Sequence, residues 1–314
     1  MQSEYEIISH NNANFHIFVV NLLYRTPHLH KDYEIDLILD GEVTLINPEL
    51  SLKLQKGDVF VMNPFFSHEL KAENPTLILS LQVSQSLFAP YYPQIEQTEF
   101  DDTLLSCTKE PECCNEAIRL LFRIAFTYYR QEPYCALKCA SFINQLFVCL
   151  LASLSHHLVS DREQQSIQAK GRRIRRILHY IEDHYTEKIL LADIARQEDL
   201  DLYYLSHFFK NAFGTTFQEY IMKLRCEKAR QLLLLTDYSL LDISISCGFS
   251  DAKYFNKGFL AQYGYTPKEY RSSFRHAKLE QQQKSMLTTQ EFLSDTASLV
   301  TLEKYLEQIS SDKQ

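Results

Sequence analysis

LYYLSHFFKNAFGTTFQEY at residues 202–220 and AKYFNKGFLAQYGYTPKEY at residues 252–270 are two copies of one pattern, offset by 50 positions. Six of nineteen positions are identical: Tyr204/Tyr254, Phe209/Phe259, Gly214/Gly264, Thr216/Thr266, Glu219/Glu269 and Tyr220/Tyr270. Upstream, Asp-Ile-Ala at 193–195 pairs with Asp-Ile-Ser at 242–244 at an offset of 49, so one residue is gained in the turn between. A short helix, a turn and a longer helix, repeated, is a pair of helix-turn-helix units. That arrangement predicts a reader of double-stranded DNA.

The second helix of each unit has two faces. Leu205, Phe208, Phe209 and Ala212 recur at helical spacing and are expected to point inward, as are Phe255 and Phe259. The opposite stripe carries Tyr203, Ser206, His207 and Lys210 in the first unit and Ala252, Lys253, Asn256 and Lys257 in the second. An amide, ammonium groups and hydroxyls on one face of a short helix suit base edges and phosphates in a major groove. Asp201 and Asp251 stand where an N-cap carboxylate satisfies the first free N–H groups. The plain alternative for such a face is solvation; the duplicated frame around it argues for DNA. Between the units, residues 217–236 read as a helix of about 30 Å at 1.5 Å per residue. One turn of duplex is about 34 Å, so one chain can set two recognition helices in successive major grooves.

The run from Tyr180 to Arg271 resembles the DNA-binding domain of the AraC/XylS family. The marks are L-x-D-I-A, YLS-x-x-FK, L-R-x-x-K-A, I-x-x-x-x-GF-x-D-x-x-YF and G-x-TP-x-x-YR, spread over about a hundred residues. Departures are His207 where the family usually has Arg, Asp199 where a small residue is common, and Leu260-Ala261 in place of a frequent Lys pair. The resemblance implies promoter half-sites as targets, a homodimer, a small-molecule effector (plausibly a carbohydrate or other metabolite) and contact with RNA polymerase in activation.

The net charge of −8 fits a nucleic-acid protein only when divided. Residues 1–169 carry 11 Lys+Arg against 21 Asp+Glu, whereas residues 170–276 carry 17 against 13, so the repeat lies in the basic part. No apolar run reaches about 18 residues and no secretory signal pattern opens the chain, which predicts a cytoplasmic protein without a membrane partner. The eight cysteines sit mostly in apolar helical contexts without a C-x-x-C pair, the usage of buried thiols.

Residues 7–83 alternate in short segments (FHIFVVNLL, EIDLILDG, EVTLINP, LSLKLQKGD, VFVMNP, LILSLQV) with turn signals at Asp40-Gly41 and Lys56-Gly57 and strand limits at Pro64 and Pro75. Six or more short strands predict a small barrel or jelly roll. Within it lie His28, His30, Glu34 and Gly41, then Gly57, Asp58 and His68, which resemble the two motifs of the cupin fold. Asn63 stands where a proline is usual there and Phe65 where a glycine is usual. Three imidazoles and a carboxylate can hold a divalent metal. In AraC-type regulators the same stretch generally shapes a pocket mouth. We therefore assign His28, His30, Glu34, Asp36 and His68 to an effector-binding cluster with no metal, no cofactor and no catalytic residue.

Helices are expected at residues 115–130 and 134–158, with more apolar surface than one chain buries, hence a partner helix from a second copy. Residues 160–169 are polar and aperiodic and read as a linker. Four arginines at 172, 173, 175 and 176 open the next helix. In the tail, Thr288-x-x-Glu291 resembles a capping box and Leu299, Leu302, Leu306 and Ile309 form a stripe, predicting a helix docked on the domain or on a partner.

The fold expected is multidomain: an all-β cupin-like barrel plus a helical hairpin, followed by an all-α domain with two helix-turn-helix units. The divisions are 1–112 (ligand sensing), 113–160 (helical dimerisation segment), 161–170 (linker), 171–275 (DNA binding) and 276–314 (helical tail). The function expected is a sequence-specific, effector-responsive transcription regulator, an activator rather than an enzyme. The competing readings are a metal-dependent cupin enzyme with an accessory DNA-binding domain, and an interaction protein without a DNA target.

Overall fold

The computed structural model describes residues 14–47, 50–105, 111–275 and 290–311. The chain divides into two compact units: among the described residues, Asn47, Leu50 and 172–275 form one, and 14–46, 51–171 and 290–311 form the other.

The second of these is built on a curled antiparallel sheet. Its strands are β1 (Phe15–His28), β2 (Tyr33–Asp40), β3 (Glu42–Ile46), β4 (Ser51–Gln55), β5 (Val59–Met62) and β6 (His68–Val83). A short pair, β7 (Thr98–Phe100) with β9 (His156–Leu158), stands apart, while β8 (Leu104–Leu105) and β10 (Gln290–Phe292) extend the main sheet. The order is β10-β1-β6-β2-β5-β8, with β3 pairing both β4 and β6. β6 runs through Pro75, which limits the strand only locally: a register irregularity between Leu22↔Thr76 and Tyr24↔Lys71 absorbs it.

β2 is buried on both faces, and its alternation assigns each residue a destination. Tyr33, Ile35, Leu37 and Leu39 join a core shared with α1 (Pro111–Tyr129) and α2 (Cys135–Ser153). Ile38 faces the other way, into a second core with Val20, Leu22, Leu45, Phe60 and Ile78. Glu34 and Asp36 share that parity, so two carboxylates are carried into the concave side of the sheet. α2 ends at Ser153 rather than 158, because residues 156–158 pair as β9 with β7. By length and hydropathy α2 could cross a membrane, yet Cys139, Ile143, Leu146, Phe147 and Leu150 lie in the helical core.

Of the tail, the described residues 290–311 belong to this unit. β10 pairs with β1 (Val20↔Phe292, Leu22↔Gln290), and α10 (Asp295–Ser311) buries Ser298, Leu302 and Tyr305. Tyr305 stacks on Phe122 with ring centroids 5.5 Å apart, and Arg130 pairs with Glu303 at 2.9 Å. Of the expected stripe, Leu302 is core and Leu299 packs beside it, while Leu306 is exposed. Thr288 of the expected capping box lies outside the described residues.

The expected linker differs most. Residues 161–170 are the first turns of α3 (Asp161–His184). Their Gln, Arg and Ala are good helix formers, and the Ser160 hydroxyl accepts the Glu163 N–H at 3.3 Å. Polarity without periodicity reads as linker, but a helix exposed along most of its faces shows the same pattern.

In the other unit α3 continues, followed by α4 (Leu191–Gln197), α5 (Leu202–Phe213), α6 (Phe217–Leu235), α7 (Leu240–Ser246), α8 (Ala252–Tyr263) and α9 (Pro267–Arg275). The identical positions of the repeat do identical work. Phe209 and Phe259 are fully buried and meet Tyr220 and Tyr270 edge-on at 5.6 and 5.4 Å. Gly214 and Gly264 end α5 and α8 at φ 66° and 73°, where a side chain would be strained. Thr216 and Thr266 then open α6 and α9, each exchanging hydrogen bonds with the glutamate three residues on. The turn after α4 uses Asp199 at φ 51°, against Gly248 at φ 77° in the second copy. A Cβ on Gly248 would stand 2.6 Å from the Thr186 backbone. The small residue usual at 199 is thus explained by its left-handed backbone.

A buried ion pair anchors the second copy. Arg230 donates twice to Glu227 at 3.0 Å, and the Tyr263 hydroxyl donates to Glu227 at 2.7 Å. Burial opposes the charge on Arg230, but Glu227 overcomes it and raises the guanidinium pKa. A pair so enclosed is costly to break from one side.

Candidate nucleic-acid interface and buried polar cluster

α5 and α8 present the stripes the sequence predicts. Tyr203, Ser206, His207 and Lys210 are exposed, and so are Ala252, Lys253, Asn256 and Lys257. Leu205, Phe209, Ala212, Phe255 and Phe259 are buried beneath them. Both helices start on the expected caps: Asp201 accepts the Tyr204 N–H at 3.0 Å and Asp251 the Tyr254 N–H at 2.7 Å. Backbone contact with Tyr254 is the main cause that lowers the Asp251 carboxyl pKa. The Tyr203 and His207 rings lie 4.4 Å apart one turn along α5, so the two act as one aromatic surface. Asn256 donates to the Ala252 carbonyl at 2.8 Å, a bond it must exchange to reach a base. α6, with 19 residues, spans about 28 Å.

Phe208 is a partial correction: it is half-buried rather than core. The reason is Arg173, whose guanidinium lies 5.3 Å from the Phe208 ring centroid and donates to the Tyr204 hydroxyl at 3.1 Å. Arg176 forks onto Glu198 through bonds of 2.6 and 2.5 Å. Two of the four clustered arginines therefore brace the first helix-turn-helix unit; of the other two, Arg172 is exposed and Arg175 half-buried. Nothing in the linear pattern separates these roles.

On the concave side of the sheet His30, Glu34 and His68 converge, with ligand atoms all within 4.8 Å of one another. His30 Nδ1 faces the Asp32 carbonyl at 2.7 Å, and its Nε2 meets Glu34 at 3.0 Å. His68 Nδ1 faces the Phe66 carbonyl at 3.0 Å. His28 lies across from His68 in the strand register, ring centroids 4.2 Å apart. Burial alone would raise the Glu34 pKa; the charge of His30 prevails and holds it at about 2. Burial and the His30 charge push His68 down to about 4, a neutral imidazole at physiological pH. Burial would lower His30 as well, but Glu34 lifts it above its ordinary value. Burial and the Glu34 charge raise Asp36 well above the carboxylate range.

A pocket beside this cluster takes its polar lining from His28, Glu34 and Asp36 together with Arg25, Ser80, Gln82 and Gln290, while His30 and His68 do not line it. Gln82 donates to Glu34 at 2.5 Å, and Arg25 donates to Gln290 at 2.5 Å. Ser80 and Gln82 were readable, since they are the polar members of the alternating LILSLQV and pair across to Asp36 and Glu34. Gln290 arrives from a segment 265 residues away from Arg25, beyond any local signal. Asp36 Oδ1 and His68 Nε2 are buried without a hydrogen-bond partner among the described residues. Such orphaned atoms are costly unless a ligand or water meets them. The donors His30, Glu34 and His68 also fit one divalent cation, which would supply Lewis-acid chemistry when bound.

Residues 194–273 match the family model described as a helix-turn-helix domain. A helix-turn-helix-type transcriptional regulator of Staphylococcus aureus is 23% identical over 276 residues, covering 88% of this chain and 35% of that protein. The chain thus spans about a third of the length of the staphylococcal relatives it matches. YfiF of Bacillus subtilis, named a regulator of the same type, is 22% identical over 258 residues, covering 80% of each chain. The C-terminal domain of the two-component response regulator yesN of Fusobacterium nucleatum is 39% identical, covering 32% of this chain and 98% of that one, with a TM-score of 0.31. With its duplicated, capped helices, the stretch 194–273 is a helix-turn-helix domain of the AraC type, and the chain is similar to helix-turn-helix-type transcriptional regulators.

Proposed function

We propose that this chain is a sequence-specific transcription regulator that binds double-stranded DNA through α5 and α8 and responds to a small-molecule effector. The observation that carries the reading is the pair of capped helices with exposed polar stripes, joined by a rod of nearly one duplex turn. Lys210 and Lys257 hold phosphates; Tyr203, Ser206, His207, Lys253 and Asn256 set base preference, with Ala252 allowing close approach. Asn256 is suited to bidentate adenine readout. The effector reading assigns His28, His30, Glu34, Asp36 and His68 to one cluster; it rests on the pocket lined by His28, Glu34 and Asp36, with His30 and His68 in contact with Glu34 and His28. Exposed Leu137 and Val148 on α2 fit a homodimer contact. Activation through RNA polymerase, with action in the cytoplasm, completes the proposal.

Fluorescence anisotropy on a panel of site variants tests the division of labour. Lys210→Ala should weaken every site alike and reduce the salt slope by about one unit. Asn256→Ala should cost roughly 1–3 kcal/mol on one base pair and little elsewhere. Equal losses on all variants would remove the base-reading role.

A second reading, a metal-dependent cupin enzyme, is favoured by the three convergent donors alone. Elemental analysis of protein purified without metal-affinity resin separates the two. Regulation without metal predicts far less than one ion per chain; stoichiometric iron, manganese or zinc lost in His30→Ala would support the enzyme.

A further inference from the structure

Cys113, in the first turn of α1, and Cys149, near the end of α2, bring their sulfurs to 2.9 Å from each other. The backbones hold them there: each sulfur also lies close to the other residue's carbonyl, at 3.8 and 3.7 Å. Both are free and half-buried, neither sealed in the core nor fully open. The other described cysteines lack this combination. Cys135 and Cys139 are 4.0 Å apart on one turn of one helix, with Cys139 buried, and Cys226 and Cys247 are both buried. Cys114 is already disulfide-bonded and does not compete. A disulfide requires its sulfurs at about 2.05 Å, a short closure from the observed separation.

We propose that Cys113 and Cys149 are a modification site, a thiol pair that a small-molecule disulfide oxidises to a reversible bond between α1 and α2. The Cys113 thiolate attacks one sulfur of the small disulfide, expelling one small thiolate and leaving a mixed disulfide. Cys149 then loses its proton through water and attacks the Cys113 sulfur, expelling the second small thiolate, which takes up a proton from water. Two protein thiols are oxidised and one small disulfide is reduced. Burial, with Cys113 beside it, pushes the Cys149 thiol up to about 12, which disfavours Cys149 as the first attacker on a free disulfide. The bond closes the hairpin at the end opposite its 130–134 turn, linking residues 36 apart.

The test uses the full chain with its free thiols reduced, then exposed to oxidised glutathione and mapped by peptide mass spectrometry. The expected product is a Cys113–Cys149 cross-link lacking two hydrogens, with the melting temperature raised by roughly 5 °C and restored by added thiol. In Cys149→Ser, Cys113 should stop at the glutathione adduct. Full alkylation of both residues after oxidation, or a cross-link joining Cys113 to another cysteine, would overturn the proposal. The wild-type map decides this even if the variant fails to fold.

Discussion

Phe65 lies directly over Gly171: a Cβ built on the glycine would stand 2.1 Å from Phe65 Cδ1. Phe65 itself has φ 63°, a left-handed backbone better suited to glycine, and its N–H donates to the His30 carbonyl at 2.7 Å. The neighbouring Phe66 ring stacks on His68 at 6.0 Å. One short loop therefore touches both the buried polar cluster and α3 at Gly171. Gly171→Ala should destabilise by about 1–3 kcal/mol through overpacking. In a Phe65→Gly background the same change should stabilise by up to about 1 kcal/mol, since alanine favours helix. Chemical denaturation of the four proteins measures the coupling; additive effects would show that the contact is not made.

The buried cluster sets a pH dependence. His68 has its pKa depressed to about 4, so the unfolded chain takes up a proton near pH 6.5 that the folded chain refuses. Stability should fall as pH drops from about 6.5 to about 4, by on the order of 3 kcal/mol. Glu34, held at about 2, adds a further loss below about pH 4.5. His30 is raised, so its contribution is complete below pH 6.5 and is lost only as pH rises past its folded value. Urea midpoints of wild type and His68→Gln between pH 7 and 4.5 test this. An unchanged slope in the variant would assign the acid sensitivity elsewhere.

The tail is structural. Leu302 is fully buried among α1 and sheet residues, so Leu302→Ala should cost about 2–5 kcal/mol. Calorimetry should show the loss in the transition of the sheet unit while DNA affinity stays within about twofold. A stability cost below about 0.5 kcal/mol would mean that α10 is only loosely attached.

The helix-turn-helix unit was legible because local chemistry decides it: caps, a buried phenylalanine, a left-handed glycine and a closing tyrosine recur at one offset. The strands of the sheet were legible from alternation, and its His-Glu cluster from the resemblance to the cupin motifs. What escaped depends on partners far apart in sequence. Arg173 reads as one arginine in a basic run until Tyr204 and Phe208 meet it, and Gln290 reads as tail until it meets Arg25. Residues 161–170 read as linker because a helix with little apolar periodicity leaves no stripe to detect.

The central claim is that α5 and α8 read sequence. The most direct measurement is the affinity of the full chain for DNA from its own upstream region, against a shuffled duplex of equal length and composition at the same salt. The account predicts a preference of at least about a thousandfold. Equal affinity for the two duplexes would contradict it.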